Sequence, residues 1–257
     1  MHLIDRYAYS NALRHVDPLL KGGIALSVIA LCLILNEPLV GLTAALWMLL
    51  LAAGLARIPA RAFGGLLLAE ALFLLLATLA VMLSVSLHPP PAAWRIHLGP
   101  LWLSTTPDAL YQGVNLILRA LGAAAAMNFL ALTTPMVDII DMLHRLHMPA
   151  LIIDLMTLMY RFIFVFLGSL ERMVRAQESR LGFNASYGRR MQNAAWIATH
   201  LFVESFLRSR QLQLALASRG YDGGDLRVLP TEYQTDRRLL LLALLTLATL
   251  LGVWRFF

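Results

Sequence analysis

A chain of 257 residues, 59% hydrophobic and 14% charged, lies far from the balance of a soluble domain; this excludes a water-soluble enzyme and places the protein in a membrane. Basic side chains outnumber acidic ones by 21 to 15, for a formal charge of +6. They border apolar runs with no interleaved aromatic patch, so they read as setting membrane orientation, with no nucleic acid as partner.

In chain order, residues 1–21 are polar, and no small-residue cleavage site follows the next apolar run, so they read as a cytosolic N-terminal segment and not a signal peptide. Gly22 to Asn36 is an apolar stretch of fifteen residues that needs flanking groups to complete a span. It contains the single cysteine, Cys32, which can form no internal disulfide and no multi-thiolate metal site and reads as packing or lipid-facing. Pro38 to Ala56 has nineteen residues without a charge, enough for a helix across a hydrocarbon core of about 30 Å. Ala62 to Leu87 carries only Glu70 and Ala109 to Thr134 only Arg119, so these are the third and fourth spans. Leu239 to Trp254 is the last.

Arginine placement orients these spans, because short cytosolic loops carry excess positive charge. Arg6, Arg14 and Lys21 precede the first span, Arg57 and Arg61 lie in the second turn, and the connection from His88 to Pro107 holds only Arg95. The N-terminus is therefore expected in the cytosol. Four spans over residues 22–134, at about 22–36, 38–56, 62–87 and 109–134, lead to a cytosolic module over 135–238 and a final span within 239–257. The fold expected is an all-α integral membrane protein with about five transmembrane helices plus long cytosolic helices.

The module over 135–238 reads as long helices. Leu151 to Leu170 is apolar yet holds Asp154 and Arg161, seven apart and on roughly one face. Gly182 to Gln192 reads as a turn. Ala194 to Ser218 mixes Trp196, Ile197, Leu201 and Leu207 with Glu204, Arg208, Arg210 and Gln211, the composition of a helix with one buried and one wet side. Gly220, reinforced by Gly223-Gly224, is a stop signal. Two stretches share one pattern, Ala176-Gln177-Glu178-Ser179-Arg180 and Ala215-Leu216-Ala217-Ser218-Arg219, each at the end of a helical stretch. An arginine there can cap its own helix or meet lipid phosphates. Its planar fork can also bond several carbonyls or a carboxylate of a partner, and recurrence of the pattern favours that use.

These stretches, with Arg161-Phe162-Ile163 and Glu171 before the first and Gly220-Tyr221-Asp222 after the second, resemble the two arginine signatures of the T component of energy-coupling-factor (ECF) transporters. Asp5-Arg6-Tyr7-Ala8 and Asp17-Pro18 with Lys21 resemble its cobalt-type Q subunit, the CbiQ family. The first signature here reads Ser179-Arg180-Leu181 where the family often has Ala-Arg-Gly, and Leu19 stands where an arginine is common. The resemblance implies a non-catalytic coupling subunit of an ABC-type importer in the bacterial cytoplasmic (inner) membrane. Its partners would be two ATP-binding ABC ATPase subunits, a substrate-binding integral membrane subunit of the S or M type, and membrane lipid. Arg180 and Arg219 would insert into grooves of the ATPases, with Ser179, Leu181, Ser218 and Gly220 shaping the fit. Cobalt is the implied substrate, with nickel or a vitamin as the alternatives. No cofactor is expected, since the one lysine, Lys21, is followed by glycine and supplies no phosphate loop.

Other constellations are weaker. Asp141, His144 and His147 share a helical face at metal-ligand spacing, and His2 follows Met1, but a solvated helix end beside Arg145 explains the trio more simply, and no metal is assigned. Glu70 and Arg119, both inside spans, are expected to pair with each other and stabilise the bundle. A membrane-embedded lipid-modifying enzyme using Asp138 and Asp141 lacks further acids to complete a metal set. A passive scaffold leaves the two matched arginines unexplained.

Overall fold

The computed structural model describes residues 3–82, 84–86, 94–98, 101–180, 186–221, 233–234 and 237–256. The helices are α1 (Leu3–Ser10), α2 (Pro18–Leu35), α3 (Pro38–Leu50), α4 (Ala60–Met82), α5 (Pro107–Thr133), α6 (Met136–Arg145), α7 (Ala150–Ser179), α8 (Tyr187–Ser218) and α9 (Arg237–Phe256). Proline opens α2, α3 and α5, where its missing N–H costs nothing and its fixed φ suits the first turn. Asp17 caps α2 by accepting from the Leu19 N–H at 3.0 Å, and Thr106 caps α5 by accepting from Ala109 at 3.3 Å. A π-helical turn, Leu51–Leu55, carries α3 to its end.

The chain divides into two units, Met1–Ile139 with Thr231–Phe257, and Ile140–Pro230. Among the described residues, six helices are long and apolar enough to cross a membrane: Pro18–Leu35, Pro38–Leu55, Ala60–Ala80, Pro107–Thr133, Ala150–Ser179 and Arg237–Arg255. This is a multi-pass, all-α membrane protein. The fifth of these, α7, continues beyond the apolar Leu151–Leu170 stretch to Ser179 and is the one not expected as a span, since the sequence places it in the cytosolic module. Two details depart from the sequence reading. The apolar run expected to be helical to Leu87 stops being helix at Met82; β1 (Ser84–Ser86), β2 (Trp94–Leu98) and β3 (Leu101–Thr105) form an antiparallel sheet in the order β1-β3-β2. The turn expected over Gly182 to Gln192 gives way to helix at Tyr187, so Gly188 lies in the first turn of α8.

In the first unit, α5 runs through the middle, against α2, α3 and α4. Its crossing with α3 is set by glycines. A side chain at Gly41 would place its first carbon 2.3 Å from the Leu118 carbonyl oxygen, and one at Gly122 would meet the Gly41 carbonyl at 2.6 Å and the Cys32 sulfur at 3.1 Å. The backbones therefore touch, the arrangement small residues permit between helices in lipid. Cys32 is buried packing. Around this crossing lie Val28, Val40, Ala44, Met48, Phe129 and Leu132.

One end of this unit is held by polar groups. Lys21 is fully buried, and its ammonium donates to the carbonyls of Leu13 at 3.2 Å and Thr133 at 3.1 Å. Asn11 donates to the Leu132 and Thr133 carbonyls at 3.3 and 3.2 Å. The strand-like bridge Val16–Gln234 joins the segment before α2 to the segment before α9, and the Tyr233 hydroxyl donates to Asp138 at 3.1 Å. The starts of α2, α6 and α9 and the end of α5 are thereby tied together.

Two outcomes follow for stability in detergent. Gly122→Leu should destabilise by about 3 kcal/mol or more, since backbone cannot give way as a side chain would, while Gly64→Leu, which meets nothing within 4 Å, should be tolerated; thermal unfolding of the two variants checks this. Lys21→Met should cost on the order of 2 kcal/mol by removing the charged donor that bridges the Leu13 and Thr133 carbonyls, each of which keeps one other donor. Loss at the exposed Arg61 should be within about 0.5 kcal/mol of neutral.

Candidate functional site

The two Ala-x-x-Ser-Arg stretches end α7 and α8 with the same local structure. Arg180 has φ −93° and ψ 13°, and Arg219 has φ −94° and ψ 7°. In each last turn the serine hydroxyl donates back to the carbonyl three residues earlier, Ser179 to Ala176 at 2.9 Å and Ser218 to Ala215 at 3.0 Å. The arginine N–H closes the turn on Gln177 at 3.2 Å in one case and on Leu216 at 3.1 Å in the other. Serine at this place quenches a terminal carbonyl and leaves the next side chain pointing off the helix end. Both arginines are exposed, and neither guanidinium has a side-chain partner among the described residues.

Beyond the arginines the tips differ. Gly220 adopts φ +73°, its N–H donates to the Ala217 carbonyl at 3.0 Å, and the Tyr221 N–H donates to the Leu216 carbonyl at 3.0 Å. This is a Schellman stop, in which glycine takes the left-handed conformation without a steric penalty. At the other tip Leu181, the remaining residue of that signature, lies outside the described residues, as do Gly182 and Gly223-Gly224.

Among the described residues, side-chain bonds join α7 to α8 and to the turn that follows α8. Ser169 donates to Glu204 at 2.8 Å, with Arg172 donating to the Ser169 oxygen at 2.8 Å and Arg208 to Glu204 at 2.6 Å. Tyr221 donates to Asp154 at 3.2 Å. Early α7 meets the end of α8 and late α7 meets its middle, so the helices run in opposite senses. Arg180 and Arg219 consequently sit at opposite ends of the pair, about 40 Å apart measured along α7. The Ser169 hydroxyl, followed by the Arg208 guanidinium, holds the Glu204 carboxyl below the usual carboxylate range. The neighbour relations of Asp154, Ser169, Glu204 and Tyr221 leave no trace in local periodicity: Asp154, Glu204 and, within the second signature, Tyr221 stand out in the sequence, while Ser169 does not.

Glu70 and Arg119 do not pair. Both carboxylate oxygens of Glu70 accept from the Asn128 amide, at 2.9 and 3.0 Å. Arg119 donates to the Leu33 carbonyl and to the Asn36 side chain, both at 2.7 Å, and so caps the end of α2, where Asn36 turns left-handed at φ 48°. The reason is helical phase: Arg119 and Asn128 are nine residues apart on α5, about half a turn out of register, so Arg119 faces α2 while Glu70 on α4 meets the opposite side. Asp138 accepts from Tyr233 and Asp141 pairs with Arg145 at 3.0 Å, so these acids serve different partners. Among the described residues no three His, Cys, Asp or Glu side chains converge on a point that could hold a metal ion; His2 lies outside those residues.

Comparison with known proteins adds the family context. The model of the family CbiQ, described as a cobalt transport protein, matches residues 9–230. The chain is 31% identical over 222 residues to an uncharacterized protein of Methanocaldococcus jannaschii, covering 86% of this chain and 81% of that one. It is 28% identical to the cobalt transport protein CbiQ of Salmonella typhimurium, over 86% of this chain and 97% of the relative. With the energy-coupling factor transporter transmembrane protein EcfT of Acidaminococcus fermentans it shares 28% identity over 85% and 82% of the two chains.

The Glu204 contact carries a pH signature. Because its carboxyl is held below the ordinary value of 4.5, its contribution to the α7–α8 pair is present above about pH 4.5 and is lost as pH falls through the lowered value. Thermal unfolding of the protein and of Glu204→Gln, compared from pH 7 down to pH 3, should show a wild-type advantage that shrinks only in the acidic part of that range. An advantage that vanished near neutrality would contradict the assignment.

Proposed function

The chain belongs to the CbiQ family of cobalt transport proteins, and on that premise we propose that it is the transmembrane coupling subunit, the T component, of an energy-coupling-factor importer for cobalt ion. The observation that carries the reading is the pair of matched, exposed arginine tips. Two like contacts on one chain suit two like partners, and the partners that supply ATP chemistry to an importer are a pair of ABC ATPases. Arg180 with Ser179 and Leu181 engages one of them, and Arg219 with Ser218 and Gly220 engages the other.

Physical requirements agree with this role. A planar guanidinium on a fixed helix end can bond several carbonyls of a groove at once, and the back-bonded serines limit how far the tip can fray. Helices of 30 and 32 residues carry displacement along their axes because each turn is held by its own hydrogen bonds. When the ATPases close on ATP the grooves approach, α7 and α8 shift as levers, and the motion passes to a separate substrate-binding membrane subunit. This chain's residues hold and transmit; hydrolysis and ion capture belong to the partners. In this reading the N-terminus and residues 135–238 face the cytosol, the spans lie in the bacterial cytoplasmic membrane, and the arginines of Arg6, Arg14, Arg57 and Arg61 hold that orientation.

Co-purification tests the assignment. From cells expressing all subunits, two ATPases should accompany the protein, and an Arg180→Glu, Arg219→Glu double variant should lose them while keeping normal membrane abundance; unchanged recovery would remove the coupling role. Accumulation of cobalt in preference to nickel by the same cells tests the substrate.

A further inference from the structure

Two helices joined at one point can pivot about it, whereas two separated joints make them a single frame. In the α7–α8 pair one joint is the Ser169–Glu204 contact at 2.8 Å and the other is the Tyr221–Asp154 contact at 3.2 Å. On α7 they are about 22 Å apart. Asp154 is only 8% exposed, within the apolar stretch Leu151–Leu155. A carboxylate is costly there unless a donor meets it. Tyr221 is one such donor, and backbone geometry places it: Gly220, at φ +73°, turns the chain so that Tyr221 leaves the tip directed back at α7. The corresponding position two residues after Arg180 is Gly182, which has no side chain to make such a bond. Among the described residues, the second tip carries this brace.

We propose that the Tyr221–Asp154 bond locks the Arg219 tip to the second turn of α7 and makes the two arginine tips move as one body; the proposal rests on the reading that these tips engage the ATPases. A displacement of Arg219 enters α7 through Asp154 and travels along the helix toward Arg180. Without the bond, α8 swings about the Ser169–Glu204 contact, and closure of the ATPases changes the angle between the helices without delivering motion to the substrate subunit. Tyr221 and Asp154 are thus positioning residues for coupling, distinct from the arginines that make contact.

The test uses the complete purified complex, reconstituted in vesicles, with cobalt as the transported probe. Tyr221→Phe removes one hydroxyl and keeps the ring, and Asp154→Asn removes the charged acceptor. Both should retain the ATPases and their hydrolysis, while cobalt moved per ATP falls about fivefold, the loss expected for one hydrogen bond. Tyr221→Phe should cost less in the Asp154→Asn background than in the wild type, because the charged bond is already weakened there. Spin labels at Glu178 and Gln213 should report a broader distance distribution in Tyr221→Phe. An unchanged transport-to-ATP ratio, or an unchanged distribution, overturns the brace, and the coupling reading still stands if Arg180→Glu, Arg219→Glu sheds the ATPases. Retention of the ATPases by that double variant overturns both.

Discussion

The ammonium of Lys21, fully buried and bonded to the carbonyls of Leu13 and Thr133, constrains more of the membrane unit than any other single group. A charge out of water must keep its partners, and these are backbone atoms of the segment before α2 and of the end of α5, so both are held wherever Lys21 is held. Asp138 and Asp17 supply the opposite charges that act on it. Asp138 in turn receives Tyr233, which leads into α9. A lysine that reads in the sequence as one more cytosolic positive charge is in the structure the centre of a knot joining four chain segments.

Packing in the rest of that unit follows from backbone contact. Where α3 crosses α5, Gly41 and Gly122 bring the main chains against each other, and lipid offers no hydrophobic gain to drive helices together, so close contact is what holds them. Polar side chains then satisfy local needs. Arg119 and Asn115 finish α2 at its left-handed Asn36, and Asn128 satisfies Glu70. Glu70 and Arg119 thus each have neutral partners, which fix them structurally without a second charge.

The α7–α8 pair has a different construction. Few buried side chains support it, and the apolar residues Leu151, Met159, Phe202 and Leu214 are exposed, so its internal geometry depends on two sets of polar bonds. Those bonds are made between residues 35 and 67 positions apart. Such a pair is stiff along each helix and held across them at separated points, which suits a part that transmits motion.

Several features were readable directly from residues. The membrane class, the apolar stretches, the matched Ala-x-x-Ser-Arg turns and the stop at Gly220 all rest on local rules: run length, composition, and the conformations that serine, arginine and glycine allow within one turn. The matching of the two tips was legible because their last turns are closed by atoms within four residues of the arginines. What tertiary structure decided is every choice of partner. Sequence supplies that Glu70 and Arg119 need partners, but helical phase on α5 and the crossing with α2 determined that they do not meet. Sequence places Tyr221 after a glycine, but only the antiparallel run of α7 and α8 brings it to Asp154. A need for hydrogen bonds or charge is a property of one residue, whereas its satisfaction depends on which distant backbone or side chain the packing of helices delivers within about 3 Å.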